Sequence, residues 1–137
     1  MMKNENGFTL AEVLATAVII IIASIAMYYG IVHAERQIVK NYHDRVAIMH
    51  ASGELDWQKY YKNTYNGLSP FGSKSVVIDE YDNRGPLLGV MEYKQLGLVP
   101  PDVVIQNLHY EAVEISVRWT EPSDKKQRKV VLREDFY

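Results

Sequence analysis

An uncharged apolar run near the N-terminus limits what this chain can fold into more than any other feature. Residues 13–32, VLATAVIIIIASIAMYYGIV, contain no charged side chain. A helix of about 20 residues is about 30 Å long, which matches the hydrocarbon core of a bilayer. Later apolar runs are short and interrupted by charge. The sequence therefore predicts a single membrane crossing, with a short N-terminus on one side and residues 34–137 on the other.

The composition excludes several classes of site. The chain has 137 residues and no cysteine, so disulfides, thiol nucleophiles and cysteine-based zinc sites are ruled out. Its 15 Lys and Arg against 17 Asp and Glu, a net charge of −2, do not favour a nucleic acid partner. No catalytic triad, paired-carboxylate site or phosphate-binding loop can be placed by spacing. We therefore expect neither an enzyme nor a cofactor.

A carboxylate, Glu12, stands at the entrance of the apolar run, in the stretch GFTLAEVL. A secretory signal peptide, for which Ser24 and Ala26 offer a cleavage pattern, prefers basic residues here and no acidic one. An uncleaved signal anchor explains the hydrophobicity but not Glu12. A carboxylate in hydrocarbon costs on the order of a few kcal/mol, so such residues tend to be paired and functional. The alternative without a specific function is that the Glu12 side chain reaches the membrane–water interface near the helix start, where the helix dipole favours an anion.

The leader MMKNEN, the motif GFTLAE and the long apolar helix together closely resemble the class III leader of prepilins and pseudopilins. These proteins are the subunits of type IV pili and type II secretion systems. The resemblance implies cleavage between Gly7 and Phe8 by prepilin peptidase, and N-methylation of Phe8. It divides the chain into a leader, 1–7, a transmembrane half of the helix, 8–33, and an extracytoplasmic pilin-like domain, 34–137.

The resemblance also implies a role for Glu12 in assembly. Cleavage would turn the α-amino group of Phe8 into a cation one helical turn from Glu12, and in this family the Glu is held to neutralise the amine of a neighbouring subunit. Because a buried charge without a partner is strongly unfavourable, the pair would set the register between helices. The implied partners are prepilin peptidase, other pilin or pseudopilin subunits, the inner-membrane assembly machinery and, before assembly, the lipid bilayer.

Two departures from the major pilins favour a minor pilin or minor pseudopilin. Major pilins often carry a proline in the middle of the transmembrane helix, where this chain has Tyr29 and Gly30. Many pilins also close the C-terminal region with a disulfide, which a chain without cysteine cannot form. The expected location is the cytoplasmic membrane and then a pilus or pseudopilus.

Beyond the membrane the helix is predicted to continue as an amphipathic helix. Large apolar residues recur every three or four positions and predict a stripe that covers a sheet: Ile38, Tyr42, Val46, Met49, Gly53, Trp57 and Tyr60. Charged residues between them predict a solvated face: Glu35, Arg36, Lys40, Asp44, Arg45 and Glu54. In NTYNGLSP, Gly67 can adopt a left-handed cap and Pro70 cannot continue a helix. One helix is therefore expected from Phe8 to about Thr64.

After residue 70 the apolar period changes from 3.6 to 2. EAVEISVRW, 111–119, alternates cleanly, and RKVVLRE, 128–134, is its predicted hairpin partner. KSVVIDE, 74–80, and LLGVMEY, 87–93, are two further strands, and DVVIQNL, 102–108, is a shorter fifth candidate. The predicted class is α+β, with the long helix packed on a three- or four-stranded antiparallel sheet. Pilins share this architecture.

The remaining polar clusters are weaker candidates for function. Asp79, Asp82 and Asn83 lie in the predicted loop DEYDNRG and are a weak calcium candidate, because their spacing does not match an EF-hand and a solvated turn explains them. His43 and His50 are two helical turns apart, about 10 Å, too far to share a metal ion, and are expected at the surface. No metal site is predicted from them.

The only basic cluster is KKQRK, and it defines the alternative functions. Lys125, Lys126, Arg128 and Lys129 could bind DNA for uptake, although five residues at a hairpin tip are a small electrostatic footprint. A solubilising turn is the simpler interpretation. The main alternative to a filament subunit is a membrane-anchored extracytoplasmic binding domain that never polymerises.

Overall fold

The computed structural model describes residues 8–70, 72–83, 85–98 and 110–136. It contains one helix and four strands in these ranges: α1 Leu10–Tyr65, β1 Ser73–Tyr81, β2 Gly85–Leu98, β3 Tyr110–Thr120 and β4 Gln127–Phe136. The chain divides into two compact units, Met1–Val39 and Lys40–Tyr137. The predicted α+β class is confirmed, with a long helix and a four-stranded antiparallel sheet.

In the first unit, α1 presents its side chains outward in every direction. Residues 8–39 are exposed, except that Val32 is partly covered. The hydroxyl of Thr16 donates to the Glu12 carbonyl at 2.7 Å, and that of Ser24 donates to the Ile20 carbonyl at 2.8 Å. These bonds satisfy the polar groups of the apolar run within the helix itself, as hydrocarbon surroundings require. By length and composition, this segment can cross a membrane.

The end of α1 is one residue later than predicted, and a different residue caps it. The helix ends at Tyr65, and the Asn66 N–H donates to the Lys62 carbonyl at 2.8 Å. Asn66 has a left-handed backbone with φ 54°, whereas Gly67 has no positive φ, so the prediction of a Gly67 cap was wrong. Asparagine is one of the few side chains that tolerate this conformation, which allows the helix to stop directly before the glycine.

The sheet is an antiparallel meander in the order β1-β2-β3-β4. The four predicted strands are confirmed, including the C-terminal hairpin, in which Ile115 pairs with Leu132. In β2, Gly89 pairs with Val76. A Cβ at Gly89 would approach the Ile78 side chain to 3.1 Å, so glycine makes room for that buried isoleucine. The fifth candidate strand, 102–108, lies outside the described residues.

The core of the second unit lies between α1 and one face of the sheet. In β3 the predicted alternation is confirmed, because Val113, Ile115, Val117 and Trp119 are all buried. Ile78 and Met91 extend this core across β1 and β2. From the helix, the buried apolar residues are Ala47, Ala51 and Leu55.

The predicted contact stripe on α1 was therefore wrong. The residues of α1 that are buried are His43, Ala47, Ala51, Leu55 and Gln58. Of the predicted stripe, Val46 is partly buried and the other members are exposed: Ile38, Tyr42, Met49, Gly53, Trp57 and Tyr60. Two of the three buried apolar residues are alanines, whose small side chains carry a weaker apolar signal than the exposed members of the stripe.

The predicted solvated face was also partly wrong, because three of its members form ion pairs with the rest of the second unit. Lys40 pairs with Asp124 at 2.8 Å, and Asp44 pairs with Arg128 at 2.8 Å. Glu54 lies 3.9 Å from the Lys74 ammonium. The helix is thus held by a narrow apolar strip with charged contacts beside it.

Candidate functional site

The first turn of α1 is built by two residues of the GFTLAEVL motif. Thr9 precedes the helix, and its Oγ1 accepts a hydrogen bond from the Glu12 N–H at 3.3 Å. The Thr9 carbonyl accepts from Glu12 and Val13 at 3.0 and 3.1 Å. Thr9 with Glu three residues later is the sequence pattern of a capping box, of which the structure contains the bond to Thr9 Oγ1, so Thr9 specifies where the helix begins.

The carboxylate of Glu12 is exposed and carries its charge next to this helix start. Among residues 8–70, 72–83, 85–98 and 110–136 it has no ion-pair or hydrogen-bond partner. Phe8 is also exposed, whereas Gly7 lies outside the described residues. The positive end of the helix dipole stabilises a carboxylate here by about 0.3–1 kcal/mol, which is less than burial in hydrocarbon would cost.

This segment is where the chain matches a known family. Residues 2–28 match the family model of the prokaryotic N-terminal methylation motif. The chain carries a prepilin-type N-terminus. The match covers 27 of the 137 residues, and the motif together with the apolar helix supports anchoring in a membrane. No curated protein and no solved structure shows significant similarity to the chain.

The three residues of the calcium candidate do not lie in one loop. Asp79 lies in β1, where its Oδ2 is 3.1 Å from His43 Nε2 and its Oδ1 accepts the Glu80 N–H at 2.9 Å. Asp82 and Asn83 form the following turn. Within the described parts of the chain, no group of three His, Cys, Asp or Glu side chains could hold a metal ion. The structure therefore separates Asp79 from the other two candidates.

The expectation for His43 was wrong, whereas that for His50 was right. His43 is fully buried, with Nδ1 3.0 Å from Glu121 Oε2 and Nε2 3.1 Å from Asp79 Oδ2. The hydroxyl of Tyr81 lies 3.3 Å from the same Nε2. His50 is exposed, and its Nε2 lies 3.0 Å from the Val77 carbonyl. The sequence signal that could have predicted the burial of His43 is the four-residue spacing of His43, Ala47 and Ala51, which places them on one side of the helix.

Gln58 closes the other end of that contact face and was also missed by sequence reasoning. It is fully buried, and its Oε1 accepts the Ser69 N–H at 3.0 Å. Its Nε2 lies 3.5 Å from the Ser69 carbonyl and 3.4 Å from Glu54. The contact face of α1 therefore has a hydrogen-bonded polar residue at each end and the apolar residues Ala47, Ala51 and Leu55 between them.

The basic cluster is partly neutralised by its own surroundings. Arg128 donates to Asp44 of α1 at 2.8 Å, and Asp124 in the same turn pairs with Lys40. The hydrogen bond from Lys40 holds the pKa of Asp124 below its usual range, with a further bond from the Lys126 N–H. Carboxylates within the turn reduce the positive potential that a phosphate backbone would meet. The geometry does not favour nucleic acid binding.

Proposed function

We propose that this chain is a minor pilin or minor pseudopilin of a type IV pilus or type II secretion pseudopilus. It is inserted in the cytoplasmic membrane as a single-pass protein with residues 34–137 outside the cytoplasm. Prepilin peptidase cuts it between Gly7 and Phe8, and Phe8 is methylated. The mature subunit then leaves the bilayer and assembles with other subunits through its N-terminal helix. The match of residues 2–28 to the methylation motif carries this proposal.

The isolated Glu12 carboxylate supports assembly through the helix. It has no partner in the described parts of its own chain, and a charge in hydrocarbon needs one. The cut would create a cation, the α-amino group of Phe8, at the same end of the helix. A neighbouring subunit can supply that cation to Glu12. The pair would then fix the axial position of each helix relative to the helix of the next subunit.

The exposed side of α1 in the second unit supports the same conclusion. Tyr42, Met49, Trp57 and Tyr60 are at least half exposed and do not contribute to the core of their own unit. Trp57 stacks loosely with Tyr60, with ring centroids 5.7 Å apart. Large apolar and aromatic side chains at a surface are typical of protein contacts, so a filament would cover a side of the helix that the monomer leaves in water.

Glu12 also provides the sharpest test of the proposal. Glu12→Gln keeps the size and the helix-start preference of the side chain but removes its charge, and Glu12→Ala removes both. If charge pairing drives assembly, both variants should enter filaments about tenfold less than wild type or worse, because each leaves a neighbouring amine unpaired. The measurement is the amount of subunit that co-purifies with sheared filaments from cells that express the assembly machinery.

The matched control is Thr9→Ala. It removes the Thr9 Oγ1 cap, at about 1 kcal/mol of helix stability, and leaves the Glu12 charge in place. Its incorporation should stay within about threefold of wild type, provided that mass spectrometry shows equal processing. Wild-type incorporation of Glu12→Gln would contradict the pairing, whereas absence of the unmodified chain from sheared filaments would favour an anchored binding domain that does not polymerise.

A further inference from the structure

A buried ionic cluster in the second unit has no role in the proposed assembly. It joins three segments: His43 from α1, Asp79 and Tyr81 from β1, and Glu121 from the turn after β3. His43 and Glu121 are 0% and 1% exposed. Charged groups are rarely buried so completely unless they are paired, and no described buried side-chain atom lacks a partner.

The backbone holds both carboxylates in fixed places. In β1, a bulge between Val77 and Asp79 leaves Ile78 without a strand partner. A bulge shifts the alternation of side chains by one, so Ile78 and Asp79 both face α1. Glu121 is held by its own backbone, because its N–H donates to the Lys126 carbonyl at 2.8 Å and its carbonyl accepts from Lys125 at 2.9 Å.

If both carboxylates are ionised, the geometry calls for two protons on the His43 ring. A neutral imidazole has one N–H donor and one bare nitrogen, but each nitrogen here faces a carboxylate at 3.0 or 3.1 Å. If Nδ1 were bare, its lone pair would face the buried carboxylate of Glu121. If Nε2 were bare, the hydroxyl of Tyr81 could donate to it, but the nearer Asp79 oxygen would face a lone pair. Of the forms of the ring, only the imidazolium donates to two ionised carboxylates.

We propose that His43 is a proton-dependent lock, in which the imidazolium form holds the first sheet-contacting turn of α1 between Asp79 and Glu121 and loss of its proton loosens that turn. The lock lies wholly within the second unit. It is independent of processing and of Glu12. An experiment can therefore disprove the lock without affecting the assembly proposal, and can disprove the assembly proposal without affecting the lock.

The other charged groups around His43 are already paired. On α1, Lys40 pairs with Asp124 and Asp44 pairs with Arg128, so neither neighbouring turn brings a free charge to the ring. The Glu121 carboxylate also lies 3.5 Å from Trp119 Nε1 and 3.4 Å from the Ser123 hydroxyl. The ring of Tyr42 is 5.9 Å away, centroid to centroid. Within the described residues, the polar groups that contact the His43 ring nitrogens are therefore Asp79, Glu121 and the Tyr81 hydroxyl.

The direct test counts protons on the ring. The full chain, labelled with ¹⁵N-histidine in detergent micelles, contains four histidines, and His43→Gln identifies the His43 signals by their loss. At about pH 7.5, where a free imidazole is mostly neutral, both ring nitrogens of His43 should be protonated. A bare nitrogen on His43 at this pH would overturn the proposal.

The second test measures whether the proton stabilises the fold. The chain has two tryptophans, and Trp57→Phe leaves the buried Trp119 as a fluorescent reporter beside the cluster. From about pH 6 to pH 9 the unfolded chain loses its histidine protons while the lock retains its own, so the folding equilibrium constant should fall about tenfold or more. Burial, and then the charge of Glu111, raises the pKa of Tyr93, so Tyr93 stays protonated in this range.

Asp79→Asn is the decisive variant. The new amide can donate to a neutral Nε2 while its oxygen keeps the Glu80 N–H, and Nδ1–H still donates to Glu121, so no second ring proton is needed. Its equilibrium constant should not fall over the same range and should rise by up to about fourfold, because at pH 6 only its unfolded chain binds this proton, whereas the His50→Gln control should fall like the parent. An equal fall in Asp79→Asn and the parent would overturn the lock.

Discussion

The two parts of α1 belong to one continuous helix but meet opposite demands. Residues 10–39 expose nearly every side chain, and their apolar character extends all around the helix. In residues 40–65 the side that meets the sheet is narrow, with His43 and Gln58 at its ends, and most of the large apolar side chains other than Leu55 lie on the surface. Apolar composition therefore predicts the surroundings of the first part but misleads about the contact face of the second, in which two of the buried residues are alanines.

The largest effect expected from this difference separates two leucines on the same helix. Leu55 is 6% exposed and Leu14 is 59% exposed. Leu55→Ala should lower the free energy of unfolding of the second unit by about 2–4 kcal/mol through the cavity it leaves, whereas Leu14→Ala should change it by less than about 0.5 kcal/mol. Denaturant unfolding of the full chain in detergent, followed by Trp119 fluorescence, measures both. Equal losses would contradict the division of the helix.

A second, smaller effect distinguishes the observed contact face from the predicted stripe. Ala51 is fully buried, so Ala51→Leu should overpack the contact with the sheet and cost about 1–3 kcal/mol. Met49 is 72% exposed, so Met49→Ala should change the free energy of unfolding by less than about 0.5 kcal/mol. The same unfolding assay applies. If Met49→Ala proved the more harmful of the two, the stripe would be the contact face after all.

The smallest effect concerns an ion pair beside the contact face. Lys40→Met removes the hydrogen bond that lowers the pKa of Asp124, so the pKa of that carboxyl should rise toward its ordinary value of 3.8. Because the pKa of Asp124 is lower in the folded chain than in the unfolded one, the stabilisation is fully present above the unfolded pKa. It is lost as the pH falls through the lowered, folded pKa. NMR titration of the Asp124 carboxyl carbon in both proteins measures the change. An unchanged pKa would show that Lys40 does not hold Asp124.

Much of the fold could be predicted from the sequence because its patterns are local. The uncharged run, the strict alternation in 111–119 and the turns between strands each act over a few residues, and the four strands were found. The cap at Asn66 was missed because Gly67 offers the stronger local signal.

The contact face of α1 and the buried cluster could not be predicted in the same way. Ala47 and Ala51 are fully buried against the sheet, but their small side chains carry a weak apolar signal in the sequence. The cluster depends on a bulge in β1 that turns Asp79 inward and on a carboxylate after β3, both far from His43 in the chain. Only the folded arrangement brings these groups together.

The central claim is that this chain is a processed, prepilin-type subunit, and the N-terminus of the mature protein tests it most directly. The measurement is intact and N-terminal mass spectrometry of the protein recovered from membranes of cells that have a prepilin peptidase. The account predicts a chain that begins at Phe8 and carries one added methyl group. An intact Met1, or a start near Met27, would contradict it and would mean an ordinary membrane anchor or a secreted domain.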